Sequence, residues 1–303
     1  MYTRQRYGVL RRGVKQQINM EKLFKIGICI FVCTSFMFIW NMSKAPLLNA
    51  AYVTMADSDD YADGAIALAN SLRHVKSEYP LWVLTTGGIG VQRRTKLAKI
   101  PGVKIVTVDK IPLPESLVAK VPRWLNAFTK LRAFALNLDR VIWVDSDAIL
   151  TSNIDELFHY PGGPSVLYAG IDPDITRCDQ TLPKGEAALN SGIMVIRPSE
   201  AVFRRLMNAL TTLTSSGLEY LNDQDVISYT FRYWKKLPYP EYGGHVVHCN
   251  CTKFYNKVRV LHFTAGVSPL QKPWVENFKL DGYEDAPCVR SMYRTWSTMF
   301  YYS

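Results

Sequence analysis

From residue 50 onward, short runs of consecutive apolar residues alternate with longer stretches in which apolar positions recur every three or four. AAYVTM (50–55), LWVLTT (81–86), VKIVTVD (103–109) and RVIWVDSD (140–147) have the length and β-branched content of buried strands. Between them, YADGAIALANSLRHV (61–75), VQRRTKLAKI (91–100) and WLNAFTKLRAFALNL (124–138) carry helical spacing, and acidic residues before the first suit a helix N-terminus. IPLPESLVAKVPR (111–123), with Pro112, Pro114 and Pro122, reads as a loop. Downstream come SVLYAG (165–170), LNSGIMVIR (189–197) with a turn-like Asn-Ser-Gly, a helix from Ser199 to about Leu213, another beginning near Asp223, and a strand VRVLHF (258–263). This alternation predicts an α/β domain over 50–275 with a largely parallel sheet flanked by helices, its second half finishing the sheet and shaping an acceptor site. The aromatic-rich extension, 276–303, is expected to pack on that domain.

One run raises a chemical question. RVIWVDSD ends a buried strand in two carboxylates, Asp145 and Asp147, separated only by Ser146. Buried carboxylates cost several kcal/mol unless something positive meets them. In open α/β sheets ligands bind beyond the carboxyl ends of the strands, which is where these side chains emerge. Oxygen ligands at i and i+2 suit a hard divalent ion, Mn²⁺ or Mg²⁺, with positions left open for phosphate oxygens. Asp-x-Asp alone is a weak signal. The neighbouring cluster Asp57-Ser58-Asp59-Asp60 reads instead as a solvated loop or the decoration of a helix N-terminus.

Charge changes the picture at the N-terminus. The chain of 303 residues carries a formal +10, but residues 1–50 hold eight basic groups and one acid, leaving 28 basic against 25 acidic groups for the rest. A nucleic-acid footprint is therefore not expected. The basic head precedes IGICIFVCTSFMFIW (26–40), fifteen residues without a charge. At about 1.5 Å per residue this run spans roughly 22 Å, marginal for a membrane. A core helix, a cleaved signal peptide and a signal anchor compete for it. The anchor is the expectation: a basic cytosolic tail (1–25), a transmembrane segment (26–42), a short stem (43–49) and a luminal domain in the secretory pathway, with the Golgi membrane as its place. Cys178, Cys249, Cys251 and Cys288 would then face an oxidising lumen, where two disulfides or four free thiols are open readings. Of the sequons at Asn41 and Asn250, only the second would be usable.

Six ordered motifs over about residues 50–275 resemble the glycogenin-like members of glycosyltransferase family 8, which have the GT-A fold: VTMADSDDYADGAIALANSL, FTKLRAFAL, VDSDAILTSNIDELF, LNSGIMVIRPS, NDQDVIS and VLHFTAGVSPLQKPW. The resemblance implies a UDP-sugar donor, a glycan or glycoconjugate acceptor, retention at the anomeric carbon, and a homodimer as an open option. It implies that Asp145, Asp147 and His262 hold Mn²⁺ (or Mg²⁺) and that Tyr61 stacks on uracil, with Thr54, Met55 and Ser146 beside the nucleotide. Lys130, Arg123, Gly266 and Lys272 would approach the donor and its diphosphate, and Asn190, Asp223 and Gln224 would orient the sugar. The chain departs from the family pattern in two places: ten positions separate His262 from Lys272, a stretched spacing, and Asp57 replaces a polar residue that touches the base. The same motifs would also serve a non-catalytic, membrane-tethered sugar-nucleotide or carbohydrate-binding protein. A nucleotidyltransferase is disfavoured, since nothing resembles a triphosphate loop.

Overall fold

The computed structural model describes residues 48–113, 117, 125–172, 188–216, 218, 220–248, 256–264, 271–275 and 287–302. The expected anchor, both sequons, Arg123, Gly266 and every cysteine but Cys288 lie outside them. Among the described residues no helix is long and apolar enough to cross a membrane.

Strand β1 (Ala50–Met55) takes the middle of the larger sheet, with β2 (Leu81–Thr85) parallel on one side and β4 (Arg140–Val144) parallel on the other. Ala51 and Val53 enter one core layer while Ala50 and Tyr52 enter the opposite one, so the strand has no solvent face and reads as an unbroken apolar run. Strand β3 (Val103–Thr107) continues the parallel set beyond β2. On the far side of β4 the direction reverses: β7 (Ala188–Ile196) is antiparallel to β4, β6 (Tyr168–Asp172) is antiparallel to β7, and β8 (Lys235–Lys236) closes the edge. The sheet is thus mixed, in the order β3-β2-β1-β4-β7-β6-β8. A smaller sheet holds β5 (Ala148–Leu150), β10 (Val260–His262) and β9 (Tyr242–His245) in the order β5-β10-β9.

Helices α1 (Asp59–His74) and α2 (Val91–Lys99) cover one face of the larger sheet, burying Ile66, Leu68, Leu72 and Leu97 against Tyr52, Val83 and Ile142. The other face is covered by a 3-10 segment (Ala127–Ala135), α3 (Glu200–Ser215) and α4 (Asp223–Thr230). An α-helix was expected over 124–138. Phe128, Leu131 and Phe134 fall at intervals of three, and in a 3-10 helix side chains at i and i+3 eclipse, so the tighter turn aligns all three on the core. Helix α5 (Pro287–Phe300) packs Val289, Met292, Tyr293 and Trp296 beside Ala67 of α1 and Ile149 and Leu261 of the smaller sheet.

The chain leaves β1 toward β2 and β3 on one side and returns to β4 on the other. The carboxyl ends of β1 and β4 therefore flank the point where strand order switches, and a crevice opens there.

Candidate functional site

Asp145-Ser146-Asp147 is the turn by which the chain passes from the larger sheet to the smaller. The Asp145 amide donates to the Gly192 carbonyl at 2.8 Å, adding one rung to the β4–β7 pairing. The Ala148 amide closes the turn on the Asp145 carbonyl (3.0 Å), and the Phe263 amide donates to the Asp147 carbonyl (2.8 Å). Helix α1 presses on the turn at Gly64, where a Cβ would lie 2.3 Å from the Ser146 carbonyl oxygen. Two sheets and a helix hold three residues in place.

The side chains are arranged with equal definition. Asp145 Oδ1 accepts from Trp143 Nε1 at 2.7 Å and from Lys130 Nζ at 2.9 Å, while Oδ2 lies 3.8 Å from His262 Nε2. Asp147 Oδ2 is paired with the Lys272 ammonium, while Oδ1 lies 3.2 Å from His262 Nε2. Each carboxylate thus has one oxygen engaged by a lysine and one turned toward the imidazole. One ligand atom from each of Asp145, Asp147 and His262 can be chosen so that all lie within 4.8 Å of one another. Two hard oxygens and an imidazole nitrogen, drawn from only three residues, fit a divalent ion that keeps open positions. The charge question posed by the sequence has its answer in two lysines and this cation-sized convergence.

Burial alone would raise the Asp147 carboxyl, but the adjacent Lys272 and His262 outweigh it and hold its pKa well below the ordinary range. Burial would likewise lower the Lys130 ammonium, yet Asp145 and Asp223 raise it above its ordinary value. Lys130 is 6% exposed and its ammonium meets Asp145 Oδ1, Asp223 Oδ2 (2.9 Å) and Ser191 Oγ (3.0 Å), so its donors are engaged within the protein. It is not the solvated side of a helix.

Asn190-Ser191-Gly192 lies inside β7 rather than in the turn expected from its composition: Asn190 pairs with Gly170 of β6, the next two residues fall in a register shift of that pairing, and the Gly192 carbonyl is held by the Asp145 amide. The Asn190 amide oxygen accepts from the Gly192 amide (2.9 Å), Ser191 Oγ donates to Asp223 Oδ2 (2.8 Å), and the Ser191 amide donates to Gln224 Oε1 (3.1 Å). Asn222 caps α4 through a reciprocal capping box with Asp225, which sets Asp223 and Gln224 in the first turn of the helix. Gly192 leaves room for His262: a Cβ there would fall 2.2 Å from the ring's Cε1.

These groups line one cavity of about 610 Å³, together with Met55, Tyr61, Ser146 and Lys272. Tyr61 stands at its rim, 45% exposed, its ring 5.2 Å from that of Trp274. Thr54 is fully buried in β1 and is not among the lining residues. Asp57 lines the cavity, yet its carboxylate is turned to the loop after β2, accepting from the Thr86 amide (2.8 Å) and hydroxyl (2.6 Å). Asp59 similarly accepts from the Gly90 amide ahead of α2 (2.7 Å), and Ser58 caps α1. Asp59 and Asp60 do stand in the first turn of α1, as expected of a helix N-terminus, while two of the three carboxylates, Asp57 and Asp59, also organise the loop between β2 and α2. Trp143, Ser191, His245 and Thr264 also line the cavity; Ser191 and Thr264 lie within two of the quoted motifs, but none of the four was assigned a role from sequence.

Comparison with known proteins sets this geometry in a family. The chain is 29% identical over 170 residues to inositol phosphorylceramide glucuronosyltransferase 1 of Arabidopsis thaliana, covering 55% of this chain and 28% of that protein. It is 25% identical over 242 residues to glycogenin-1 of Oryctolagus cuniculus, covering 75% and 66%. The chain therefore spans well under a third of the first of these relatives. Among solved structures, the galactosyltransferase LgtC in complex with donor and acceptor sugar analogues superposes with a TM-score of 0.59 at 16% identity, over 82% of this chain and 95% of that one. This likeness is one of fold, the GT-A arrangement of a mixed α/β sheet. The family model described as glycosyl transferase family 8 matches residues 52–277, and the chain belongs to that family.

Proposed function

We propose that this protein is a retaining glycosyltransferase that moves a hexose, hexuronate or N-acetylhexosamine from a UDP-sugar to a hydroxyl of a glycan or glycoconjugate acceptor. The observation that carries the reading is the convergence of Asp145 Oδ2, Asp147 Oδ1 and His262 Nε2 at the β1/β4 switch point, inside a cavity that also holds Lys272 and Asp223. Bound there, Mn²⁺ or Mg²⁺ would act as a Lewis acid for the diphosphate of the departing nucleotide.

The chain's own residues have separate tasks. Tyr61, with Met55 and Ser146, forms the nucleotide end of the cavity. Lys272 brings positive charge to where leaving-group charge develops, a form of stabilisation that is often the largest catalytic contribution. Lys130 pairs with both Asp145 and Asp223 and holds them in register, linking the metal-binding carboxylate to the sugar end. Asn190, Asp223 and Gln224 orient the sugar. Asp223 is ion-paired to Lys130 and accepts from Ser191, which favours a front-face departure assisted by the phosphate over attack by a protein carboxylate. Arg123 and Gly266 belong to the same proposal on motif position alone.

The domain is proposed to sit in the lumen of the secretory pathway behind an anchor at 26–42, with 1–25 cytosolic and 43–49 as a stem. Cys288 is disulfide-bonded, which supports an oxidising compartment and argues against four free thiols. The test is release of UDP by the full chain from UDP-glucose, UDP-glucuronate, UDP-galactose and UDP-N-acetylglucosamine, each with Mn²⁺ and with chelator. Metal-dependent release from one of them is expected. Release that persists in chelator, or none from any donor, would refute the reading.

A further inference from the structure

His245 closes β9, directly opposite His262 in the parallel β9–β10 pairing. It is 4% exposed and lines the cavity. Its Nδ1 lies 3.2 Å from Thr264 Oγ1, and its ring sits edge-on to that of His262 with centroids 5.3 Å apart. The ring is thereby fixed in position and in rotation. Its other nitrogen, Nε2, is buried and has no hydrogen-bond partner among the described residues. A buried polar atom without a partner costs about 1–3 kcal/mol, so such an atom on a residue that lines a binding cavity is explained when a ligand satisfies it.

The surroundings say which part of the ligand. Strand β9 packs against β6 and β7, on the side of the cavity that carries Asn190, and away from β1, whose end carries Met55 and leads to Tyr61. Nucleotide and sugar therefore occupy opposite ends, with His245 at the sugar end. The diphosphate has its own partners in Lys272 and the Asp145–Asp147–His262 convergence.

We propose that His245 is a sugar-reading residue whose Nε2 hydrogen-bonds a hydroxyl of the donor sugar. This rests on the UDP-sugar reading above. An imidazole held by Thr264 presents one nitrogen at a fixed point, so it discriminates hydroxyl position rather than adding general affinity.

The experiment titrates the full chain with UDP and with the UDP-sugar it prefers, both with Mn²⁺, for wild type, His245→Phe and His245→Gln. Phenylalanine keeps the ring against His262 and removes both nitrogens; glutamine restores an amide donor. His245→Phe is expected to bind UDP within about twofold of wild type and to lose about tenfold of the extra affinity conferred by the sugar, with His245→Gln recovering most of it. A sugar increment unchanged in His245→Phe overturns the proposal. Equal weakening toward UDP and UDP-sugar overturns it too, since the residue would then act through His262. Failure of wild type to bind UDP with Mn²⁺ refutes the functional reading itself and is told apart by that control.

Discussion

Gly192→Ala is a small change that should reach the proposed metal-binding trio directly. The new Cβ would stand 2.2 Å from His262 Cε1, 2.7 Å from Nδ1 and 2.8 Å from Asn190 Oδ1. Ordinary van der Waals contact begins at about 3.4 Å, so the imidazole must retreat by roughly 1 Å. Gly192 falls at the register shift of the β6–β7 pairing, but its carbonyl accepts from the Asp145 amide and its own amide donates to Asn190 Oδ1, so the backbone is tied on both sides of the residue. Metal ligands hold to within about 0.2 Å of their preferred distances, and a displacement of this size removes His262 from the set. Losing that ligand should weaken Mn²⁺ binding by about 100-fold or more. The overpacking itself should cost only about 1–3 kcal/mol of stability, leaving a folded protein. Free Mn²⁺ can be followed by its electron paramagnetic resonance signal while the protein is titrated with UDP present. Gly163→Ala serves as control, because a Cβ there meets nothing within 4 Å. Wild-type Mn²⁺ affinity in a folded Gly192→Ala protein would refute the assignment of His262 as a ligand.

Lys130→Met should destabilise the fold by about 3–5 kcal/mol, because Asp223 loses its buried cation and Asp145 one of its two donors; urea denaturation measures this, and a loss under 1 kcal/mol would contradict the network. Tyr52 has its phenol raised above 10.0, first by burial and then by its hydrogen bond to Asp155 at 2.6 Å. Above pH 10 the unfolded chain therefore releases a proton that the folded chain keeps, and stability should fall by about 1.4 kcal/mol per pH unit from this residue. Tyr52→Phe should remove that part of the alkaline slope, which denaturation at pH 10–11.5 would reveal; an unchanged slope would contradict the burial argument.

Much of the larger sheet was legible because a strand buried on both faces leaves a run of apolar residues. β1 matches the expected 50–55, and β2 and β3 fall within their predicted runs. The resemblance named Asp145, Asp147 and His262 together, and the structure brings them into one cluster; geometry then supplied what no pattern holds: which oxygen faces the imidazole and which is engaged by lysine. Other features escaped for physical reasons. The 127–135 segment has apolar positions consistent with either helix type, and only the column of Phe128, Leu131 and Phe134 distinguishes them. Asn190-Ser191-Gly192 has turn composition, yet its polar groups serve the cavity while its backbone stays in the sheet. β9 contains two glycines and gives no periodic signal, so His245 was invisible. The extension was expected to pack on the domain, and Val289, Met292, Tyr293, Trp296 and Met299 of α5 do so; that they do so as a helix was readable from their spacing, though the expectation did not include it.

Calorimetric titration of UDP into the full chain, with Mn²⁺ and then with chelator, compared with Asp147→Asn, tests the central claim most directly. Binding that requires Mn²⁺ in wild type and falls at least tenfold in the variant is the expected result. Equal UDP affinity with and without the ion, or in both proteins, would contradict the assignment of Asp145, Asp147 and His262 as one cation-binding site.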